Sequence, residues 1–208
     1  MRSQRQQALL GAFAVSALVL SACSSGSSES ASPTAATPAV ESAAPEASAA
    51  AVATAGDYKV GDTGPGGGIV FYDAGSVQPW GRFLEAGPEL AATQWCNDSE
   101  FDVAGTQTTI GSGKENTDRI AEVCGSGAAN SVSDYDGGGK TDWFLPSKDE
   151  LNELYEQRDS VGGFGTEFYW NSSQFDPYNA WYQDFTDGFQ GASANESDAF
   201  GVRPVRAF

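Results

Sequence analysis

The sequence predicts an α+β domain spanning residues 58–208, built from short antiparallel strands, two helices and long loops. Three observations carry this. Two serine-led segments, Ser112-Gly113-Lys114-Glu115 and Ser147-Lys148-Asp149-Glu150, have the spacing of a capping box, in which the serine hydroxyl and a glutamate three residues on satisfy each other's orphan amides. Short runs of aromatic and β-branched residues, separated by Gly, Pro, Asn and Asp, recur before and after them. The aromatic residues fall almost entirely after residue 57, so the apolar material for a core is concentrated in one block.

The chain opens with Arg2 and Arg5 ahead of a mostly apolar run from Ala8 to Leu20. Those 13 residues (8 to 20) are too few for a bilayer span, which takes about 20, and read as a signal peptide over residues 1–22. Leu20-Ser21-Ala22-Cys23 resembles the bacterial lipobox, which makes Cys23 the expected lipidation site. Residues 23–57 are mostly Ser, Ala, Pro and Thr with a few Glu, and cannot bury enough apolar area to offset the entropy of ordering. They are expected to be a disordered tether with a mean reach of about 30 Å.

Within the domain, Gly61, Gly64 and Gly67 recur around Pro65 as a tight turn feeding a strand at Ile69-Val70-Phe71-Tyr72. Further strands are expected at Arg82–Ala86 and around Thr93–Cys96. A first helix runs from the Ser112 cap to Val123, stopped by Gly125. Its Gly111-Ser112-Gly113-Lys114 is not a phosphate-binding loop, because Thr108 replaces the first glycine and Glu115 the Ser or Thr that follows the lysine. The second helix starts at Ser147, with Leu151, Leu154 and Tyr155 on one apolar stripe. Pro146 keeps Trp143-Phe144-Leu145 extended beside it.

Phe168–Ser173 and Ala180–Thr186 bracket a Phe-Asp-Pro-Tyr-Asn turn and are expected to form a hairpin. In the second of these, period two places Trp181, Gln183 and Phe185 inward and Tyr182, Asp184 and Thr186 outward. Val202–Phe208 reads as a final strand. On it, one of Arg203 and Arg206 is expected to be buried and paired with a carboxylate.

Composition narrows function. The chain has 11 Lys and Arg against 28 Asp and Glu, a net charge of −17, and loss of the leader takes this to −19. So acidic a protein is repelled by nucleic acid and by anionic head groups. With no histidine, imidazole-dependent triads and His-ligated metal sites are closed off. With Cys23 lipidated, Cys96 and Cys124 remain, and in an oxidising compartment they are expected to form a disulfide closing a loop of about 28 residues. A redox or copper-binding pair is the alternative. Asp134, Asp136 and Asp142, on a glycine-rich loop, are the candidate calcium ligands. The loop is no EF-hand, since Leu145 stands where the bidentate Glu belongs and Gly138 at the fifth position; the competing reading is a solvated loop with turn-capping aspartates.

Asp142-Trp143-Phe144-Leu145-Pro146-Ser147-Lys148-Asp149-Glu150-Leu151 resembles the signature of the bacterial DUF1566 family, also called the Lcl C-terminal domain. Tyr169-Trp170-Asn171-Ser172-Ser173, Ala180-Trp181 and Val202-Arg203-Pro204-Val205-Arg206 follow in the family's order. Gly64-Pro65-Gly66-Gly67-Gly68-Ile69-Val70-Phe71-Tyr72 resembles its opening, so the resemblance covers residues 58–208. It implies a looped C-type-lectin-like fold, with the C-terminal strand tied down near the start of the domain, shared with formylglycine-generating enzymes, whose cysteine pair is the model for the redox alternative. Calcium-dependent sugar binders of that fold share a Glu-Pro-Asn and a Trp-Asn-Asp triplet. This chain has only Trp170-Asn171-Ser172, so its binding is expected to be calcium-independent, with no cofactor.

The function expected is a lipid-anchored binding or adhesion module for a glycan or an envelope or host protein, without catalysis. The alternatives are an extracytoplasmic glycan hydrolase using paired carboxylates and a purely structural envelope protein. The expected ligand surface is the hairpin turn with the following strand: Phe175, Tyr178 and Tyr182 to stack, Asp176, Asn179 and Asp184 to hydrogen-bond.

Overall fold

The computed structural model describes residues 58–97, 102–194 and 198–208; the leader, Cys23 and the tether, expected within residues 1–57, lie outside them. Among the described residues, strands β1 (Ile69–Gln78), β2 (Gly81–Ala86) and β8 (Val205–Ala207) form one sheet in the order β1-β2-β8. Strands β3 (Leu90–Thr93), β4 (Phe168–Asp176), β5 (Asn179–Asp184), β6 (Gln190–Ala194) and β7 (Phe200–Val202) form a second, ordered β3-β7-β4-β5-β6. Pairing is antiparallel except between β4 and β7. The helices are α1 (Gly113–Val123), α2 (Ala128–Ser133), α3 (Lys148–Glu156) and α4 (Arg158–Val161). The α+β class is as expected. The expected pair of helices is corrected to four, because α2 and α4 are too short to carry a periodic signal.

The segment before α3 organises the packing. At the helix start Glu150 N–H donates to Ser147 Oγ at 3.3 Å and Ser147 N–H donates to Glu150 Oε2 at 2.7 Å, so the capping box is complete. Leu151 and Leu154 are buried. Trp143-Phe144-Leu145 is extended as Pro146 requires, and Phe144 bridges Val205 of β8. Alternation sends Trp143 and Leu145 into one core, with Ile120, Trp170 and Val202. Phe144 goes into the other, with Phe71, Leu84, Leu151 and Tyr169.

The glycine turn before β1 wraps a buried carboxylate. Gly66 N–H donates to Glu85 Oε1 at 2.9 Å and Gly68 N–H to Oε2 at 3.0 Å, while Arg206 Nη1 donates to Oε1 at 2.9 Å. Glu85 is fully buried, so these donors replace its lost hydration. The buried arginine pairing expected near the C-terminus is this one. Arg203 is buried too, but its guanidinium donates to Gly163 O and Gly162 O and lies over Phe164.

Four element expectations are corrected. Ser112 does not cap α1 through its side chain: its backbone is already helical, and its hydroxyl donates to Thr109 O and Gln107 O. Glu115 pairs instead with Arg119 one turn on. Helix α1 ends at Val123 as expected, but what stops it is Cys124, which turns extended to reach Cys96, rather than Gly125. The third strand ends at Thr93, because Trp95 drops into the core and donates to Asn171 O at 2.6 Å. The single C-terminal strand is two, since the chain crosses from one sheet to the other at Arg203-Pro204. The ends of the domain do meet, with Tyr58 edge-on to Phe208 at 5.1 Å.

Candidate functional site

The hairpin forms in the expected place, with Phe168 opposite Asp184, Trp170 opposite Tyr182, and Asp176 opposite Asn179. At its tip Asp176 Oδ1 accepts from Tyr178 N–H and from Asn179 Nδ2, both at 2.9 Å. These donors hold the Asp176 carboxyl below its usual range, the Tyr178 amide first and Asn179 next. The polar side chains of the tip are thus spent on shaping it. What the tip presents is aromatic: Phe175 and Tyr178 are each 54% exposed. Phe175 stands edge-on to the half-buried Trp181 at 5.0 Å, and Lys148 Nζ lies 4.7 Å from the centre of the Trp181 ring. Trp181 and Lys148 were not among the residues expected at the site: period two placed Trp181 inward, and no local pattern singled out Lys148.

Two of the expected ligand residues are placed differently. Tyr182 is half-buried and packs among Phe168, Trp170 and Phe200. Both faces of this sheet are covered, so the simple inward and outward alternation along β5 fails. Gln183 and Phe185 are buried as expected, against α3, but Trp181 only in part. Asp184 sits at the far end of β5, accepting from Thr186 N–H at 2.8 Å and its hydroxyl at 2.6 Å to shape the next turn.

Asp134, Asp136 and Asp142 do not converge: among the described residues no three His, Cys, Asp or Glu side chains are grouped to hold a metal. Asp142 turns instead to Arg206, whose Nε donates to it at 2.5 Å. Burial pushes the Asp142 carboxyl up, but the Arg206 guanidinium outweighs it and leaves the group below its usual range. Cys96 and Cys124 form a disulfide across Cα atoms 5.3 Å apart, tying the loop after β3 to the end of α1. Such a bond suits an extracytoplasmic protein.

A concavity lies where the first sheet meets the starts of α1 and α3. It is a cleft of about 180 Å³ lined by Trp80, Gly111, Lys114, Asp142, Phe144, Glu150 and Ala207. Glu150 forms part of its lining, accepting from Gly111 N–H and Ser147 N–H at 2.7 Å each. Burial outweighs these bonds and raises the Glu150 carboxyl to about 6.

An α+β domain with a disulfide, an aromatic hairpin tip and a small cleft lined by Trp80 and Phe144 is the class these features define. The chain belongs to the Lcl C-terminal domain family, whose sequence profile matches residues 90–206. The match begins at β3, so the glycine turn and the first hairpin lie outside it. No curated protein matches the sequence significantly.

Proposed function

We propose that this protein is a non-catalytic binding module, held by lipid on Cys23 and a flexible tether at the bacterial surface, that engages a glycan or an envelope or host protein through its hairpin tip. The observation that carries the reading is the exposure of Phe175 and Tyr178 on a turn fixed by Asp176. Large apolar side chains held in place in the free state give up little entropy on contact, which is what a recognition surface needs. The C-type-lectin-like fold belongs to the same reading, supported by the looped α+β build and the meeting of the domain ends at Tyr58 and Phe208. The net charge of −17 makes neutral or cationic partners the expected class.

The test is a glycan array with a pull-down from envelope extract, repeated with Phe175→Ala/Tyr178→Ala. We expect the double variant to keep its melting temperature and lose at least about tenfold in affinity, the effect of removing about 1.4 kcal/mol of contact. Full affinity in the folded variant would move the surface elsewhere. In the same cells Cys23→Ala should shift the protein from the membrane to the soluble or secreted fraction; retention in the membrane would remove the anchor from the reading.

A second reading, the carboxylate-dependent hydrolase, draws on one observation. Asp142 and Glu150 line one cleft with their proton affinities pushed apart, the pattern that assigns acid and base roles. Against it stands the occupation of both groups. Glu150 is fully buried and accepts backbone amides on both oxygens, and Asp142 is bound to Arg206.

A further inference from the structure

We propose that the cleft lined by Trp80 and Phe144 is a second binding site, distinct from the hairpin tip, that takes one uncharged sugar ring. The cleft is built by five separate segments. Trp80 comes from the β1–β2 turn, Gly111 and Lys114 from the start of α1, Asp142 and Phe144 from the extended run, Glu150 from α3 and Ala207 from β8. Trp80 is held against Gly111 so closely that a Cβ at that glycine would strike the indole. It also packs against the second core and lies beside Tyr72, with ring centres 6.3 Å apart. The aromatic wall is therefore fixed rather than free to collapse into the cleft.

Size and charge choose the ligand. A volume of about 180 Å³ is below the ~300–1,000 Å³ of pockets that hold drug-sized molecules, and admits one small ring. Aromatic rings suit the C–H face of a sugar, whose hydroxyls need both donors and acceptors at their edge. The rim supplies both, as the Lys114 ammonium and the Asp142 carboxylate. Each charge is already compensated: Lys114 by Asp118 at 2.5 Å, Asp142 by Arg206 at 2.5 Å. Burial discourages the charge on Glu150 as well. A charged ligand would have to displace an existing ion pair, whereas a neutral polyol adds hydrogen bonds to the groups as they stand.

The experiment titrates the full mature protein with glucose, mannose and N-acetylglucosamine, with glucuronate and glucosamine as charged controls. Binding is read by amide and indole NMR shifts. We expect at least one neutral sugar to shift the Trp80 indole and the Gly111 amide with a roughly millimolar Kd, ordinary for so few atoms. Trp80→Ala should weaken this at least about tenfold, and Asp142→Asn, which keeps the wall, should weaken it too. Phe175→Ala/Tyr178→Ala should leave it unchanged, which separates this site from the hairpin reading. The proposal is overturned if no neutral sugar shifts these signals at about 50 mM, roughly ten times the weakest Kd expected for so few atoms. It also fails if glucuronate or glucosamine binds more tightly than every neutral sugar, or if the hairpin variant alone abolishes the effect.

Discussion

Glu150 concentrates in one side chain what the sequence disclosed and what it withheld. Its place three residues after Ser147 announced the capping box, which formed as read. Nothing nearby in sequence announced that Gly111 would donate to the same carboxylate from 39 positions away. That contact comes from the loop before α1, which lies against the start of α3 and also accepts from Asp149 N–H and the Ser147 hydroxyl, and burial follows from it. The consequence is a pH dependence whose sign can be worked out. The carboxyl moves from the ordinary 4.5 to about 6, so the folded state holds its proton more tightly than the unfolded state does. Stability should therefore fall as pH rises from 4.5 to about 6 and then level off. A shift of this size corresponds to about 2 kcal/mol. Urea titrations across this range should show the decline in the native protein and its absence in Glu150→Gln. A parallel decline in both would assign it to another group. Asp73, Asp142 and Asp176 are held below their usual range, and their contribution is lost only as pH falls below the ordinary 3.8.

Among the elements, the two serine-led starts show why the same spacing succeeds once and fails once. A capping serine must have an extended backbone; Ser147 does, at φ −64° and ψ 172°, because the run ending in Pro146 is already tied to β8 and β4. Ser112 follows a loop and is helical at φ −96° and ψ −10°, which turns its hydroxyl back to Thr109. Proline before the serine was the readable difference. Helix α2 had no comparable signal, being held by Ala128, Ala129 and Val132 in the core rather than by propensity. The glycine turn was legible as a turn, but its purpose was not. A Cβ at Gly66 would lie 2.7 Å from Glu85 Oε1 and 2.9 Å from the Trp143 ring, whereas at Gly61 it would meet nothing within 4 Å. Gly66→Ala should accordingly cost about 3 kcal/mol or more, as a broken buried charge cluster does. Gly61→Ala should cost only about 1 kcal/mol, the strain of its positive φ. Chemical denaturation compares them directly, and equal losses would mean that the turn matters for its backbone alone.

At the scale of the molecule, strand order was hidden because it depends on where the chain changes sheets. The crossing at Arg203-Pro204 places β7 beside β4 and β8 beside β2, and no local pattern records it. What the sequence did show was the extent of one apolar block, and the two cores it builds share the run Trp143-Phe144-Leu145, one residue facing the first, its neighbour the second. Neither core can loosen without pulling on that run, so residues 58–208 alone should unfold in a single cooperative transition. The disulfide Cys96–Cys124 closes 28 residues of sequence onto the first core only. By the chain-entropy account a loop of that length contributes about 3–4 kcal/mol. Because the cores are coupled, its reduction should lower the melting temperature of the whole domain rather than release a low-temperature shoulder. Calorimetry of the excised domain, oxidised and reduced, reads both expectations at once. Two resolved transitions in the oxidised protein would refute the coupling through Trp143–Leu145, and an unchanged melting temperature on reduction would show that the bond stabilises neither core.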